Sequence, residues 1–351
     1  MYFLDDSLLP ENQQKLVIQA APFGPEWLPG DTDDLPLNID AQVQKAIDCY
    51  NAGATVLHIH VRDRHGKGSR TMADYNEILA KLRAAVPKML LQIGGSISFA
   101  PANEGETAGW PAYDSRHMLA ELKPKPDQVT IAINTTQMNI MDLMSDDDVA
   151  NTSLAQPQLQ NIYRDMWFES SPSFFVEHLK RLCAQGIQPH FMLAHIAQLE
   201  SVERILRRGQ YKGPLVLNYV AIGGGASGTH PADLIEFIRR TPDGAVLTIE
   251  SVMRSVAPMC TIAIALGQHV RVGIEDNLWR RKGERMTTVQ QIEQMVRISR
   301  ELGREVATGE EARRIYQIGV QYSSTEETLA KLGMPPNRIS GQRGAPLREA
   351  A

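Results

Sequence analysis

The sequence predicts an α/β protein, a (β/α)8 TIM barrel with an N-terminal arm and a C-terminal helical extension. Eight short β-branched runs alternate strictly with eight amphipathic stretches, and parallel strands joined by helical crossovers are the expected result. An open doubly wound sheet more often has about five to seven strands. The length of 351 residues suits a barrel with additions, and no stretch of flexible composition divides the chain. We expect one domain over 1–351, with the barrel at about 15–303 and the extension at about 304–351.

The predicted strands are short runs that end in loops on one side of the barrel. They are Leu16 to Ala20, Thr55 to Val61, Met89 to Ile93, Gln128 to Ile133, Gln188 to Leu193, Leu215 to Val220, Ala245 to Ile249 and His269 to Val272.

Helical periodicity separates these strands, beginning with a helix over 40–52 that Asn38 is predicted to cap. Further helices are predicted near 72–86, 114–122, 172–185, 199–208, 231–240, 256–266 and 288–302, and in the extension near 309–318 and 325–332.

Composition narrows the class of protein. The chain is 43% hydrophobic and 22% charged, which excludes disordered and fibrous proteins, and its net charge of −5 comes without a basic stretch that would recruit nucleic acid. Three scattered cysteines favour a reducing cytoplasm over a disulfide framework. No apolar run approaches the length of a membrane helix, and the polar first 14 residues do not resemble a signal peptide.

A first candidate motif is His58-Ile59-His60 on the second predicted strand. Because strand side chains alternate faces, the two imidazoles point the same way, about 6.6 Å apart along the strand. That spacing can present two nitrogen ligands to one divalent ion, most simply zinc. The position at the carboxyl end of a barrel strand favours an active site over a pair of structural histidines.

A second candidate motif is Arg271 to Asn277, at the end of the eighth predicted strand. Glu275 can supply a third metal ligand, since this strand lies within two neighbours of the second strand in a closed barrel. Asp276 can act as a base whose pKa depends on Arg271. Two histidines and one carboxylate leave a coordination position open, as in catalytic zinc sites. A solvated turn with a surface ion pair is the alternative for this segment.

Three runs, VLHIHVRD, LGQHVRVGIEDN and ELGREVATGEEAR, resemble the family of β-keto acid cleavage enzymes over roughly residues 15–318. The resemblance implies a zinc-dependent TIM barrel, usually a homotetramer. It also implies that the acyl part of a β-keto acid is transferred to coenzyme A, with acetyl-CoA as co-substrate and acetoacetate as co-product.

The resemblance assigns roles to individual residues. His58, His60 and Glu275 match the zinc ligands, and Asp276 matches the catalytic acid/base. Arg271 matches the arginine coupled to it, which is expected to keep the aspartate ionised and oriented. Three further residues match substrate-binding positions of the family. They are Glu26, Thr130 and Ser96, the last of which replaces a hydroxyl residue of the family pattern.

Two segments depart from the family pattern. Gly94 to Ser98 replaces a hydroxyl followed by Thr-Gly-Gly or Gly-Gly, and the loop from Phe99 to Trp110 looks longer than usual. After the fifth strand an acidic Glu-x-Phe-Asp motif is expected, whereas this chain has His190 to His195. Both departures lie where the distal end of the substrate is expected, so they leave the metal chemistry intact and the substrate identity open.

Other functions remain open. An amidohydrolase-type metal hydrolase would use His195, His230 and Asp276 as further ligands, although its HxH motif belongs on the first strand. A non-catalytic, metal-stabilised ligand-binding barrel is disfavoured by the intact Glu275, Asp276 and Arg271.

A glycine-rich segment, Gly223 to Gly228, matches GxGxxG and has Glu250 at a ribose-binding distance, but it follows the sixth strand instead of the first. A loop over the barrel mouth in contact with CoA phosphates, or a simple turn, is favoured over a nicotinamide site.

Overall fold

The computed structural model describes residues 1, 6–95, 113–142 and 144–339. Eight parallel strands form a closed barrel in which the first strand pairs with both the second and the last. Numbered β1 to β8 in chain order, they are Ile18–Ala20, Val56–Ile59, Leu90–Ile93, Gln128–Ala132, Gln188–Leu193, Val216–Ala221, Val246–Ser251 and His269–Val272. The predicted (β/α)8 TIM barrel is confirmed.

Most helices of the described part of the chain begin and end close to the predicted residues. The helix predicted near 114–122 ends at His117 and continues as a 3-10 helix, Met118–Glu121, and two further helices, Asp146–Val149 and Pro157–Arg164, were not predicted. The α-helices are Ile39–Ala52, Met72–Ala85, Tyr113–His117, Asp146–Val149, Pro157–Arg164, Pro172–Ala184, Gln198–Arg207, Pro231–Arg240, Val256–Ala265, Thr288–Glu301, Gly309–Ile315 and Thr325–Lys331.

The first helix shows how local sequence sets these bounds. The Oδ1 atom of Asn38 accepts a hydrogen bond from the backbone N–H of Ala41 at 2.9 Å, as a helix N-cap does. The helix ends at Gly53, whose φ of +118° lies in the left-handed region that glycine adopts without strain.

The helical extension covers the amino-terminal end of the barrel. Val306 forms a parallel bridge with Leu16, and the ring of Tyr316 is fully buried beneath the strands. Ala312 and Tyr316 pack with valines and a leucine from the strands in one apolar cluster. The extension therefore closes the end of the barrel opposite the candidate site.

A segment that the periodicity did not predict lies between β4 and Pro172–Ala184. It contains a two-stranded antiparallel sheet, Thr136–Met138 with Met166–Phe168, and two helices, Asp146–Val149 and Pro157–Arg164. We call residues 133–171 the inserted segment. A second small sheet, Trp279–Arg281 with Glu284–Arg285, follows β8 and was also missed. Strands of two or three residues are too short for an alternating pattern to identify.

The structure also bears on membrane insertion and on the three cysteines. Among the described residues, no helix has the length and apolar character that crossing a membrane requires. Cys49, Cys183 and Cys260 are all free thiols, as their spacing indicated.

Candidate functional site

His58 and His60 lie side by side at the carboxyl end of β2, and both side chains are buried. Their Nε2 atoms are 3.1 Å apart. A Cβ atom on Gly94, at the end of β3, would lie 2.4 Å from Cε1 of His60. Glycine at this position therefore leaves the room that the second imidazole needs.

Glu275 reaches the histidines from the turn after β8. Gly273 adopts a φ of +152°, and a Cβ atom there would lie 2.1 Å from the carbonyl oxygen of Ala21. This tight turn places Oε1 of Glu275 at 3.4 Å from Nε2 of His58 and 3.5 Å from Nε2 of His60. One ligand atom from each of the three residues lies within 4.8 Å of the others.

The chemistry of this group fits a divalent metal ion. The Oε1 atom of Gln92 lies 2.7 Å from Nδ1 of His58 and can only accept, so Nδ1 carries the proton and Nε2 presents a lone pair. Burial and the charge of Arg271 lower the pKa of His58, which favours the neutral imidazole that binds metals. Within the described residues the buried Oε2 of Glu275 has no hydrogen-bond partner. Two nitrogens and a carboxylate are thus available to one ion.

The ionised form of Glu275 is favoured by its neighbours. Burial alone would raise the pKa of its carboxyl group, but the positive charge of Arg271, together with the interactions with His58 and His60, outweighs burial and holds the pKa well below its usual range. Nη2 of Arg271 donates to Oε1 of Glu275 at 2.6 Å. The candidate third ligand therefore carries a negative charge at neutral pH.

Arg271 and Asp276 form a buried bidentate ion pair. Nε and Nη2 of Arg271 donate to the two carboxylate oxygens of Asp276 at 2.9 and 2.8 Å, and Nη1 lies 3.3 Å from Oε2 of Glu250. The two hydrogen bonds hold the carboxylate of Asp276 against the guanidinium group of Arg271.

The ionisation of Asp276 depends on opposing influences, and the expectation that Arg271 keeps it ionised stays a prediction. Burial raises the pKa of Asp276 to about 8, and although Arg271 opposes the rise, the charge of Glu250 adds to it. A carboxyl group with a pKa in this range can both accept and return a proton near neutral pH.

Two predicted substrate-binding residues line the same pocket, and a third lies outside the described part of the chain. Glu26 is half-buried, and its Oε2 atom has no hydrogen-bond partner among the described residues. Burial and the nearby charge of Glu275 raise its pKa well above the usual range. Thr130 is buried and donates to Oε1 of Gln92 at 3.4 Å. Ser96 belongs to residues 96–112, which the structure does not describe.

The pocket opens at the carboxyl ends of the strands, where barrel enzymes bind substrates. It encloses about 1010 Å³ between atoms, including the part that is open at its mouth. Its lining includes the residues of the candidate metal and acid/base groups: His58, His60, Arg271, Glu275 and Asp276.

The family model of the beta-keto acid cleavage enzymes matches residues 15–318, which is most of the chain. The chain belongs to the beta-keto acid cleavage enzyme family. The resemblance stated from the sequence motifs is thereby confirmed over the same range.

Curated relatives of this β-keto acid cleavage family member share about a quarter of its sequence. A 3-keto-5-aminohexanoate cleavage enzyme from Acetoanaerobium sticklandii is 26% identical over 307 residues, covering 87% of this chain and 99% of the relative. A 3-dehydrocarnitine:acetyl-CoA trimethylamine transferase from Rhizobium meliloti is 26% identical over 295 residues, covering 80% of this chain and 89% of the relative. Relatives of the family member thus include enzymes named for the use of acetyl-CoA.

A solved structure supports the fold of this family member. The apo structure of ObcA superimposes with a TM-score of 0.60 at 15% sequence identity, and the match covers 82% of this chain and 66% of ObcA. This chain therefore spans slightly less than two thirds of the ObcA chain, and the likeness concerns the barrel fold alone.

The histidines that a hydrolase would use as metal ligands are not part of the cluster of His58, His60 and Glu275. His230 is exposed and caps the helix Pro231–Arg240, where its Nδ1 accepts from the backbone of Ala232 at 3.2 Å. His195 lies in the turn after β5, and among the described residues the cluster with metal-ligand spacing contains His58, His60 and Glu275. His190 lies buried in the barrel, with Nδ1 at 2.8 Å from Nε2 of Gln92.

The glycine-rich segment after β6 has a structural explanation in this family member. Gly223, Gly224 and Gly225 all have positive φ, and a Cβ atom on Gly224 would lie 1.9 Å from the carbonyl oxygen of Asn139. The N–H of Asn139 donates to the carbonyl oxygen of Gly224 at 2.7 Å. The loop therefore packs against the inserted segment, which accounts for the glycine at position 224.

Sequence reasoning missed two polar residues of the site. Glu250, near the carboxyl end of β7, faces Arg271 and accepts a hydrogen bond from Nδ2 of Asn218. Gln92, on β3, contacts His58. Both are polar residues within otherwise apolar buried strands, and in a barrel that pattern is a signal for side chains that face the site.

Proposed function

We propose that this chain is a zinc-dependent β-keto acid cleavage enzyme that transfers the acyl part of a β-keto acid to CoA. Acetyl-CoA is the co-substrate and acetoacetate is the co-product. The observation that supports this best is the placement of His58, His60 and Glu275 beside the buried Arg271–Asp276 pair in one pocket. Family membership and the acetyl-CoA-dependent relatives agree with it.

The proposed metal ligands are His58, His60 and Glu275. Two imidazole nitrogens and one carboxylate suit zinc and leave a position for substrate, although other divalent ions accept the same donors. A bound divalent ion supplies Lewis-acid polarisation of the ketone. It stabilises developing negative charge by several kcal/mol, on the order of the stabilisation that one oxyanion-hole donor provides.

Asp276 is the proposed acid/base, and Arg271 is its orienting partner. The proton of the enolate-forming carbon passes to an Oδ atom of Asp276 and is returned from it later. The bidentate contact favours the ionised aspartate, whereas burial and Glu250 favour the neutral form. Each of the two forms of Asp276 thus has groups in the site that favour it, as an acid/base that accepts and later returns a proton requires.

Substrate binding is assigned to Glu26, Thr130 and Ser96. Thr130 lies in the pocket in the middle of β4, where its hydroxyl can exchange the long 3.4 Å contact with Gln92 for a hydrogen bond to the carboxylate of the β-keto acid. The Oε2 atom of Glu26, which has no hydrogen-bond partner among the described residues, lies in the lining of the same pocket and can bind the substrate or a water molecule. Ser96 follows Gly95 directly, and its role rests on the resemblance alone.

A CoA-ester assay tests the proposal. Purified, zinc-loaded protein is mixed with acetyl-CoA and β-keto acids that carry anionic, neutral or cationic groups, and products are identified by mass spectrometry. The expected result is a new acyl-CoA together with acetoacetate, both lost when a chelator removes the metal. Metal content is measured in parallel by elemental analysis.

Variants and alternative products sharpen the test. Glu275→Gln is expected to lose the metal and the activity together, whereas Glu301→Gln, on an exposed position of helix Thr288–Glu301, is expected to keep both. Product release without CoA would indicate a hydrolase, and the absence of acyl transfer with every class of β-keto acid would refute the proposal. Light scattering of the same preparation tests the homotetramer that the family resemblance implies.

A further inference from the structure

The described lining of the pocket divides into a polar end and an apolar wall. The charged side chains gather at the polar end, where Glu250, Glu275 and Asp276 are within hydrogen-bond or ion-pair distance of the guanidinium group of Arg271. Glu26 belongs to the same end, since the charges of Glu275, Asp276 and Arg271 all act on the pKa of its carboxyl group. The rest of the described lining is largely apolar and includes Ile140, Met144, Met166, Phe168, Met192 and Met253.

The apolar wall is part of a continuous hydrophobic cluster at the mouth of the barrel. Ile140, Met166 and Phe168 come from the inserted segment and pack in one cluster with Val252 and Met253, which follow β7. Met166 is 1% exposed, so the wall is held in place by the cluster behind it. The segment that sequence periodicity missed therefore shapes the part of the pocket beyond the metal group.

Two uncharged polar side chains lie among these apolar residues, and both already bond to nearby backbone. Oε1 of Gln198 accepts from the N–H groups of Ala194 and His195 at 2.7 and 3.0 Å, while its Nε2 donates to the carbonyl of Ile133. The hydroxyl of Thr136 donates to a backbone carbonyl at 3.5 Å. Away from the polar end, the described lining offers no charged partner to an ammonium or carboxylate group on a substrate.

Met192 is one of the residues that make this part of the pocket apolar. It lies in β5 within the run from His190 to His195, which replaces the acidic motif expected from the family resemblance. The structure turns Met192 and Ala194 of this run into the pocket. A relative is named for an amino-bearing substrate and another for trimethylamine transfer, but here an acidic partner at these two positions is absent.

We infer that the β-keto acids cleaved by this chain carry an uncharged, apolar alkyl or aryl group on the ketone carbon. This inference rests on the proposed function. In the reaction R–CO–CH2–COO⁻ + CH3–CO–SCoA → R–CO–SCoA + CH3–CO–CH2–COO⁻, the bond between the ketone carbon and the methylene carbon breaks. The methylene carbon bonds to the acetyl carbon, the CoA sulfur leaves that carbon and takes the R–CO group, and R occupies the apolar wall.

The decisive measurement is kcat/KM across β-keto acids of matched length. R groups that end in methyl or phenyl are compared with R groups that end in ammonium or carboxylate. We expect kcat/KM to rise about fourfold for each added methylene, the equivalent of about 0.8 kcal/mol per buried CH2. Charged members should react at least about 100-fold more slowly, since the wall offers no partner for the charge. Equal or faster reaction of a charged member would overturn the inference and leave the proposed function standing.

Acetyl-CoA is the other molecule that can occupy an apolar wall, through its pantetheine arm. Met192→Glu separates the two occupants, and Met192→Leu is the matched control. We expect the glutamate variant to raise KM for the apolar β-keto acid at least tenfold, to leave KM for acetyl-CoA within about threefold, and to improve the reaction of the ammonium-bearing member. A rise in KM for acetyl-CoA alone would show that the wall holds the pantetheine arm and would overturn the inference.

A second glutamate variant tests the wall at another position, in case Met192→Glu fails to fold. Phe168→Glu places a charge at a second position of the wall, on a half-buried residue of the inserted segment. Both glutamate variants are checked by thermal unfolding and metal content. If the wild-type enzyme forms no acyl-CoA from any member of the panel, the proposed function fails, and this inference fails with it.

Discussion

Gln92 accepts a hydrogen bond from Nδ1 of His58 at 2.7 Å and thereby fixes which nitrogen of that histidine faces Glu275. The amide of Gln92 is itself oriented by its neighbours. Its Nε2 donates to Gln128 at 3.0 Å, the amide of Gln128 donates to Gln188 at 2.7 Å, and that of Gln188 donates to the carbonyl of Tyr316 at 2.7 Å. A chain of buried amides thus joins the candidate metal site to the helical extension at the other end of the barrel.

Replacing Gln92 by leucine should weaken metal binding. Partners that orient a ligating histidine typically contribute about 10- to 100-fold in affinity, so the Gln92→Leu protein is expected to bind zinc by that factor more weakly. Competition with a chromophoric chelator measures the affinity directly, without reference to turnover.

Gln188→Leu is the matched control, because it interrupts the same chain two amides away from His58. If orientation of His58 is the cause, zinc affinity should fall much less in this variant than in Gln92→Leu. Equal losses in both would attribute the effect to general disturbance of the barrel interior.

Asp276→Asn should separate metal binding from turnover. Asp276 is outside the three residues with metal-ligand spacing, so the zinc content is expected to stay at the wild-type level. Loss of the acid/base should lower kcat by about 10² to 10⁴-fold. Elemental analysis and the CoA-ester assay on one preparation provide both values. Wild-type turnover in this variant would remove Asp276 from the mechanism.

The sequence predicted the barrel and the candidate metal residues because both depend on short-range signals. Alternation of strands and helices has a period that a single chain displays, and His58 and His60 lie two residues apart on a strand. Glu275 required one further step, the closure of the barrel, which brings β8 within two strands of β2. Family resemblance then supplied chemical roles that spacing alone left open.

The inserted segment and the amide chain depend on contacts that no local pattern displays. Two residues of the inserted segment, Ile140 and Met166, pack against residues that follow β7, more than 80 positions along the sequence. The raised pKa of Asp276 is a balance between burial, Arg271 and Glu250, and its outcome depends on the depth of the site. Three-dimensional packing decides such features, so the sequence alone could not weigh burial and Glu250 against Arg271.

Arg304 should be important for stability, because its guanidinium group joins three parts of the chain. It is 2% exposed and donates to the backbone carbonyls of Gln14, Ile264, Gly267 and Gln268 at 2.7, 3.1, 3.0 and 2.8 Å. Arg304→Met leaves these acceptors without their charged donor. We expect the free energy of unfolding to fall by roughly 3 kcal/mol or more.

Denaturant unfolding of Arg304→Met tests this expectation, with Arg300→Met as its control. Arg300 is exposed on the last turn of the preceding helix, so its replacement should change the free energy of unfolding by less than about 0.5 kcal/mol. Similar values for the two variants would contradict the structural role of Arg304.

The raised pKa of Asp276 should be visible in the metal-free protein and should set the sign of the pH dependence. Its carboxyl group is expected to titrate near pH 8, because burial and Glu250 favour the neutral form. Glu250→Gln removes one of these causes and should lower the pKa. Infrared or carboxyl ¹³C NMR titration, with Asp276→Asn to assign the signal, measures it.

Zinc on Glu275 and the two histidines adds positive charge beside Asp276 and should lower the pKa of Asp276 below its value in the metal-free protein. Since the ionised aspartate is the base, kcat/KM of the zinc enzyme should rise with pH and level off at or below about pH 8. The Glu250→Gln enzyme should reach its plateau at lower pH than the wild type. A carboxyl signal that titrates below about pH 5 in the metal-free wild type would show that Arg271 outweighs burial after all.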